Sequence, residues 1–383
     1  MKIFGFLIFL VFNLKAAVWT VGGQWNEENE KQYSHWVSEN WTNDVFKNPE
    51  NDIFGLKTDC ADATYTMRAY FAYLNQLPFS FHRFDGTIED QSTSQFDKIK
   101  DPRARFRAFL NTMYDLTSTY TLSIDTYPIP ISREFLVPGT IYLSPGIHSY
   151  QIIGLDEYGI PNTLSSTVPK ENRILFNHYG FPFYVPQDFQ KKSDGYRSFS
   201  KINSLIAGEQ FEISKKTKGD FIEFQKLMIH KLAFKPEPFE RRIKRIKGNL
   251  CFFSRERAVL VADAYVKHYA RNNQCFGPAE FDDYSTYIRD KKLKNYFVEY
   301  KKMTSELEWI STDSESKKIL LSSFLREIPD ADCTIETSLP RKPILFLADI
   351  YEALETGTLV SDPNATMAQR WGIDSYKPLC PIY

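Results

Sequence analysis

The chain has 383 residues, 43% hydrophobic and 15% aromatic, which is length and apolar content enough for two ordinary domains with substantial cores. Lys and Arg number 47 against 48 Asp and Glu, a formal net charge of −1. So balanced a chain exerts no general attraction for nucleic acid, and no nucleic-acid partner is expected.

The first residues read MKIFGFLIFLVFNLKAAVWT. Lys2 gives a positive flank, Ile3 to Leu14 form an apolar run broken only by Asn13, and the small residues Ala16 and Ala17 follow. The run is short for a bilayer span and reads as a signal peptide over 1–17, implying a secreted or periplasmic protein. No cysteine follows it, which argues against a lipoprotein anchor, and no later run is long enough for a transmembrane span in the mature chain.

A helix is expected from about Glu28, with Tyr33, Trp36 and Val37 on one stripe. The next occupies 56–77, capped by Asp59 or Thr58. Ala63, Met67, Phe71 and Leu74 form its apolar face, Cys60 sits in its first turn, and Asn75-Gln76-Leu77-Pro78 stops it. Residues 80–103 are polar and turn-rich, an excursion before a helix opened by Pro102. The texture then changes to Tyr, Ile, Thr and Val with Pro and Gly punctuation, predicting strands near 119–124, 139–144, 148–155 and 160–167. Asp156–Gly159 is a tight hairpin between the last two. Helices followed by an antiparallel sheet make an α+β pattern.

From about 215 the chain is mostly helical, as in FERRIKRIKGNLCFF, RERAVLVADAYVKHYARN and IRDKKLKNYFVEYKKMTSELEW. The Lys- and Ser-rich stretch around 191–219 reads as a linker. The expected organisation is therefore a signal peptide at 1–17, an α+β unit with an N-terminal extension at 18–200, and a helical accessory region at 215–383.

The five cysteines are Cys60, Cys251, Cys275, Cys333 and Cys380. An exported chain meets an oxidising compartment, and an odd thiol left over there is a link to another chain or a reactive group. The economical arrangement pairs the four late cysteines and leaves Cys60 free, with three connectivities open for the four; a buried thiol behaving as a small hydrophobe is the plain alternative.

A thiol becomes a nucleophile when its thiolate is stabilised, and a helix N-terminus does this through unpaired N–H groups and the helix dipole. Cys60 has that setting and needs a general base. Of the six histidines, His230 and His268 fall within predicted helices, His35 lies in a polar helix and His82 in the excursion. His148 opens a strand after SPGI, where a side chain can reach over the sheet edge toward a helix N-terminus. His178, in NHYGFPFY, is its rival.

DCADATYTMRAYFAYLNQLPF resembles the nucleophile helix of the NlpC/P60 family of papain-like cysteine hydrolases, in which Asp-Cys-Ser opens a helix that ends in Leu-Pro. VPGTIYLSPGIHSYQIIG is similar to that family's second motif, where Pro-Gly-Asp precedes one strand and Gly-His opens the next. The resemblance covers roughly Lys57–Thr167. It implies a papain-like unit with Cys60 as nucleophile, His148 as base and a third group orienting the imidazole, hydrolysing amide bonds, typically in cell-wall peptides. It implies a peptide or cell-wall polymer as partner and no cofactor. The chain departs from the family at Ala61 and Asp62, where a small residue and glycine are usual, and in the 88 residues between Cys60 and His148. The third polar residue is Asn162 or Ser165. Pairing about Glu157-Tyr158 puts Thr163 and Ser165 on the face of His148, and a one-residue shift brings Asn162 there instead.

These departures leave a second reading, a non-catalytic papain-like scaffold used for binding or as a surface module. A transglutaminase-like acyl transferase would also use a helix-borne cysteine and a strand-borne histidine, but no Asp or Glu occurs between Ile160 and Val168 to serve as its acid. No His-x-x-x-His or close cysteine pair suggests a metal, and no Gly-rich loop ends in Lys-Ser or Lys-Thr. The five basic residues between Arg241 and Lys247 suit a solvated helix face more than a site for an anionic polymer. The tryptophans between 19 and 41 suit packing more than a groove.

Overall fold

The computed structural model describes residues 17–182, 184–200, 208–310 and 333–383. The expected signal peptide, but for Ala17, lies outside the described residues. Among them no helix is long and apolar enough to cross a membrane.

The fold is mixed α+β, organised around helix α2 (Cys60–Leu74). Its N-cap is Asp59, whose carboxylate accepts from the N–H groups of Ala61 and Asp62, while Asp62 returns a bond to the Asp59 N–H. That reciprocal box satisfies helix-end donors without help from outside and fixes the helix start at Cys60. The expected single apolar stripe is too narrow, because every residue from Cys60 to Ala72 is buried. The polar ones are tolerated because each finds a partner: Thr66 bonds Tyr114, and Arg68 makes a bidentate pair with Glu30 while lying 3.2 Å over the Trp25 ring.

One side of α2, with Phe71 on it, is covered by α1 (Glu27–Asn40), by α3 (Pro102–Leu116) and by the aromatic residues Trp19, Trp41 and Phe106. Of the N-terminal tryptophans, Trp19 and Trp41 are thus core, and Trp25 and Trp36 are half-buried against it. The expected excursion contains a small hairpin, β1 (Ser80–His82) with β2 (Ile88–Asp90). The strand expected at 119–124 is instead a short helix, α4 (Thr119–Asp125). Ser118 caps it and the Thr121 hydroxyl accepts from the Ser118 N–H, so local capping overrides the β-branched composition.

The other side of α2 meets a six-stranded antiparallel sheet in the order β3-β8-β4-β5-β6-β7. Its strands are β3 (Tyr127–Pro128), β4 (Ile141–Ser144), β5 (His148–Leu155), β6 (Pro161–Ser165), β7 (Phe176–Tyr179) and β8 (Gly195–Ser198). The β5–β6 turn forms at Asp156–Gly159, with Gly159 at φ 72°. Gln151 pairs with Leu164 and Ile152 with Thr163, then a bulge shifts the register so that Gly154 faces Asn162. Both turn registers considered from sequence therefore occur, one on each side of the bulge. Gly139, just before β4, has φ 90°, and a Cβ there would sit 2.5 Å from Tyr33 Cε1. Gly139→Ala is expected to cost at least about 1–3 kcal/mol, read as a fall in the urea midpoint. An unchanged midpoint would contradict this contact.

The expected linker is partly structural. β8, short and set in polar sequence, fills the place between β3 and β4, while 201–207 lie outside the described residues. The helices that follow are α5 (Glu209–Lys216), α6 (Phe221–Leu232), α7 (Phe239–Ala270), α8 (Pro278–Tyr284), α9 (Tyr287–Ile310), α10 (Leu347–Glu355) and α11 (Met367–Arg370), with a small hairpin of β9 (Ile335–Glu336) and β10 (Ile344–Leu345). They do not stand apart. Phe224, Met228 and Leu232 share one core with Tyr142, Tyr150, Ile152 and Tyr196 of the sheet. Two disulfides, Cys251–Cys333 and Cys275–Cys380, tie the late segments together, and Cys60 stays a free, buried thiol.

Candidate functional site

Cys60 is the first residue of α2, and its main chain is stapled to the start of β5. The Ser149 hydroxyl donates to the Cys60 carbonyl at 2.8 Å, the Thr64 hydroxyl donates to the same oxygen, and Gln151 Nε2 donates to Thr64 Oγ1. The Ser149 N–H and hydroxyl also act on the thiol, favouring its ionised form. The thiol therefore lies beside the His148–Ser149 peptide.

The electrostatics reverse the expectation of an activated thiolate. Burial pushes the Cys60 thiol up to about 12; the Asp59 and Asp62 carboxylates add to this, against the pull of the Ser149 donors. The helix-end N–H groups that would favour an anion are already taken by Asp59. Asp62 itself is raised to about 7 by burial and by Asp59, against the pull of Lys170 at 3.1 Å.

Strand alternation decides where the histidine points. Ser149 and Gln151 face α2, so His148, Tyr150 and Ile152 face the opposite side of the sheet, where α7 and α9 pack. There the His148 ring stands edge-on to Tyr150 at 4.5 Å, and His178 lies 6.1 Å beyond Tyr150. Both sequence candidates for the base thus flank one phenol. His178 is engaged by Tyr296 of α9, and its neighbour Thr163 donates to its carbonyl. His148 Nε2 is buried with no hydrogen-bond partner. Burial, and then the positive charges of Lys292 and Arg289, hold His148 well below the usual histidine range, so it is neutral at pH 7.

The two candidate orienters part company. Asn162 faces Gly154, six residues along β5 from His148, a separation of about 20 Å at the usual strand rise. The structure does not bring it to the histidine. Ser165 is buried and follows Leu164, the partner of Gln151, so it lies level with Tyr150 on the His148 face.

A cavity of about 690 Å³ reaches this face. Its lining includes the buried His148, Thr167, Arg289 and Lys292 together with Glu256, and the more exposed Asp282, Asp283, Tyr376 and Tyr383. Arg289 Nε donates to Glu256 at 2.8 Å and its guanidinium also reaches Thr167. Lys292 is buried, with its Nζ 5.3 Å from the Tyr150 and Phe253 ring centroids. Burial pulls it down to about 8 despite the carboxylate of Glu256. The Tyr150 and Tyr184 hydroxyls are buried without partners beside these groups.

Lys292, Arg289 and Glu256 were not among the residues singled out from sequence. The signal was present. Arg289 and Lys292 precede Leu293, Tyr296 and Tyr300 by three- and four-residue steps, so two charges fall on the buried stripe of a helix. No cluster of His, Cys, Asp or Glu with metal-binding arrangement occurs among the described residues. In comparisons with known proteins, no family model, curated protein or solved structure matches the chain.

Proposed function

We propose that the chain is an exported, papain-like thiol hydrolase, similar to NlpC/P60 enzymes in pairing a cysteine at a helix start with a histidine at a strand start. Its substrates would be amides of peptide size, cell-wall peptides being the first to try. One observation carries this reading: the Cys60 thiol lies against the peptide that joins His148 to Ser149, and His148 presents an unpartnered, buried nitrogen at a cavity wall.

Both groups rest uncharged, because burial disfavours thiolate and imidazolium alike. The chemistry then follows the neutral general-base pattern, with no standing ion pair. The Cys60 Sγ attacks the carbonyl carbon as the His148 imidazole takes the thiol proton. The Cys60 N–H, at the first position of the helix and outside its backbone ladder, offers a donor for the oxyanion. The imidazolium returns the proton to the leaving amine, and water cleaves the thioester to the acid and free thiol.

With released cell-wall peptides as substrates, Cys60→Ala is expected to abolish hydrolysis, and His148→Gln to lower it by about 10²–10⁴-fold at unchanged urea midpoint. Full activity in Cys60→Ala would refute the reading. The competing scaffold reading is favoured by one feature, the placement of the His148 side chain on the face away from α2. It predicts no hydrolysis of any peptide and a Cys60 alkylation rate that His148→Gln leaves unchanged at every pH.

A further inference from the structure

The inner wall of the cavity holds a set of polar groups that the chain itself leaves unsatisfied. Lys292 as a residue is 5% exposed, and no hydrogen bond or ion pair to its ammonium is found among the described residues. The one carboxylate nearby, Glu256, is already held by Arg289, and Arg289 is further spent on Thr167 Oγ1 and the Val168 carbonyl. The Lys292 ammonium lies against the faces of Tyr150 and Phe253, and ring faces replace a small part of the hydration an ammonium loses. On the other side of Tyr150, His148 Nε2 is buried with no partner. Leaving several such buried groups without a protein partner is costly, and chains rarely retain it without use.

We propose that this inner wall is a carboxylate-binding site, in which Lys292 is the counter-ion and His148 Nε2–H a donor, for a free organic acid or a peptide C-terminus. The geometry suits one small anion, because Lys292 and His148 both line the cavity and both lie against the same phenol. The volume, about 690 Å³, is that of an ordinary small-ligand chamber. Phe281, Tyr287, Tyr376 and Tyr383 give apolar wall to the remainder of the ligand. In the Nε2–H tautomer His148 keeps Nδ1 as its basic nitrogen, so anchoring an acid and accepting a proton are compatible.

The inference rests on this cavity being the ligand chamber of the proposed hydrolase, and it names the group by which a substrate or product is anchored. Its test therefore uses the full chain carrying Cys60→Ala, in which binding is read without turnover. N-acetylphenylalanine and N-acetyl-Ala-Ala-Phe would be titrated calorimetrically, each as free acid and as terminal amide. The acid is expected to bind at least about tenfold more tightly than the amide, as befits a desolvated charge pair. Lys292→Met should reduce the acid to the amide's affinity while leaving the urea midpoint no lower. A lysine with a purely structural role would lower the midpoint when removed. Raising the pH from 7 to 9.5 should weaken the acid several-fold and leave the amide unchanged. The groups facing Lys292 there are Glu256 on α7, Arg289 on α9, Cys60 on α2 and His148 on β5. Tighter binding of the tripeptide acid assigns the site to peptide C-termini, and equal binding assigns it to small acids. Acid and amide binding alike, neither binding at millimolar concentration, or indifference to Lys292→Met overturns the proposal. Carboxylate binding in a chain whose Cys60 proves inert would retire the hydrolase reading and leave the site standing.

Discussion

Replacing Arg257 by Met is expected to lower stability by about 3–5 kcal/mol, read from urea unfolding. Arg257 is completely buried in α7. Its Nε donates to Asp290 at 2.6 Å, and a second nitrogen donates to the carbonyls of Val360 and Arg370. One side chain thus joins α7, α9, the segment before α11 and the last residue of α11. The methionine fills much of the same space, so the loss is not chiefly a cavity. What it leaves is a carboxylate without its cation and two carbonyls without donors, in a place water does not reach. Asp290 keeps the hydroxyls of Thr286 and Ser361, which stabilise it but do not neutralise it. Asp290→Asn alone strands Arg257 in turn, and the double replacement Arg257→Met with Asp290→Leu should recover most of what either single change loses. Strictly additive losses would mean the pair is not the unit that holds these segments. Val360 and Ser361 also line the cavity, so the single variants should weaken ligand binding as well.

Lys292→Met is expected to do the opposite, raising stability by up to roughly 3 kcal/mol at pH 7. The amine falls from 10.5 to about 8 on folding because burial disfavours its charge. The sign follows directly. Below pH 8 the amine is charged in both states, and the folded chain bears the full cost of burying the charge. Between 8 and 10.5 the unfolded chain holds the proton more firmly, so the stability of the unaltered chain rises with pH. Above 10.5 both states are neutral and the cost is gone. The stability gained from the replacement should therefore be largest at pH 7 and shrink through pH 9.5, measured as the difference between the two urea curves at each pH. A gain that does not change with pH would mean the amine is not a desolvated charge. A gain that shrinks with pH, at a residue lining a cavity, would favour a ligand over packing as the reason for the lysine.

The sequence carried the local events. Asp59 and Asp62 around Cys60 encode the start of α2, and Ser149 to Ile152 alternate polar and apolar as the two faces of a strand require. The Asp156–Gly159 turn follows from residue types that accept its backbone angles. The odd cysteine was legible from number and position, and the two disulfides leave Cys60 as the free one. These are short-range matters, set within a few residues by capping, φ and side-chain period.

The sequence was misleading where capping, a bulge or burial overrode residue type, and where a neighbour distant in the chain changed the outcome. Thr119–Asp125 has strand composition, yet Ser118 and Thr121 cap it as a helix. Asn162 was plausible chemistry in the wrong place, because a bulge sets it opposite Gly154. A helix N-terminus ordinarily favours a thiolate, but burial and two neighbouring carboxylates reverse that at Cys60. Above all, nothing near His148 in the sequence announces Lys292, 144 residues later. Local residue types determine where a thiol and an imidazole sit on their own elements. Whether they are charged, and what faces them, depends on dielectric surroundings and long-range charges that exist only after α7 and α9 have closed over the sheet.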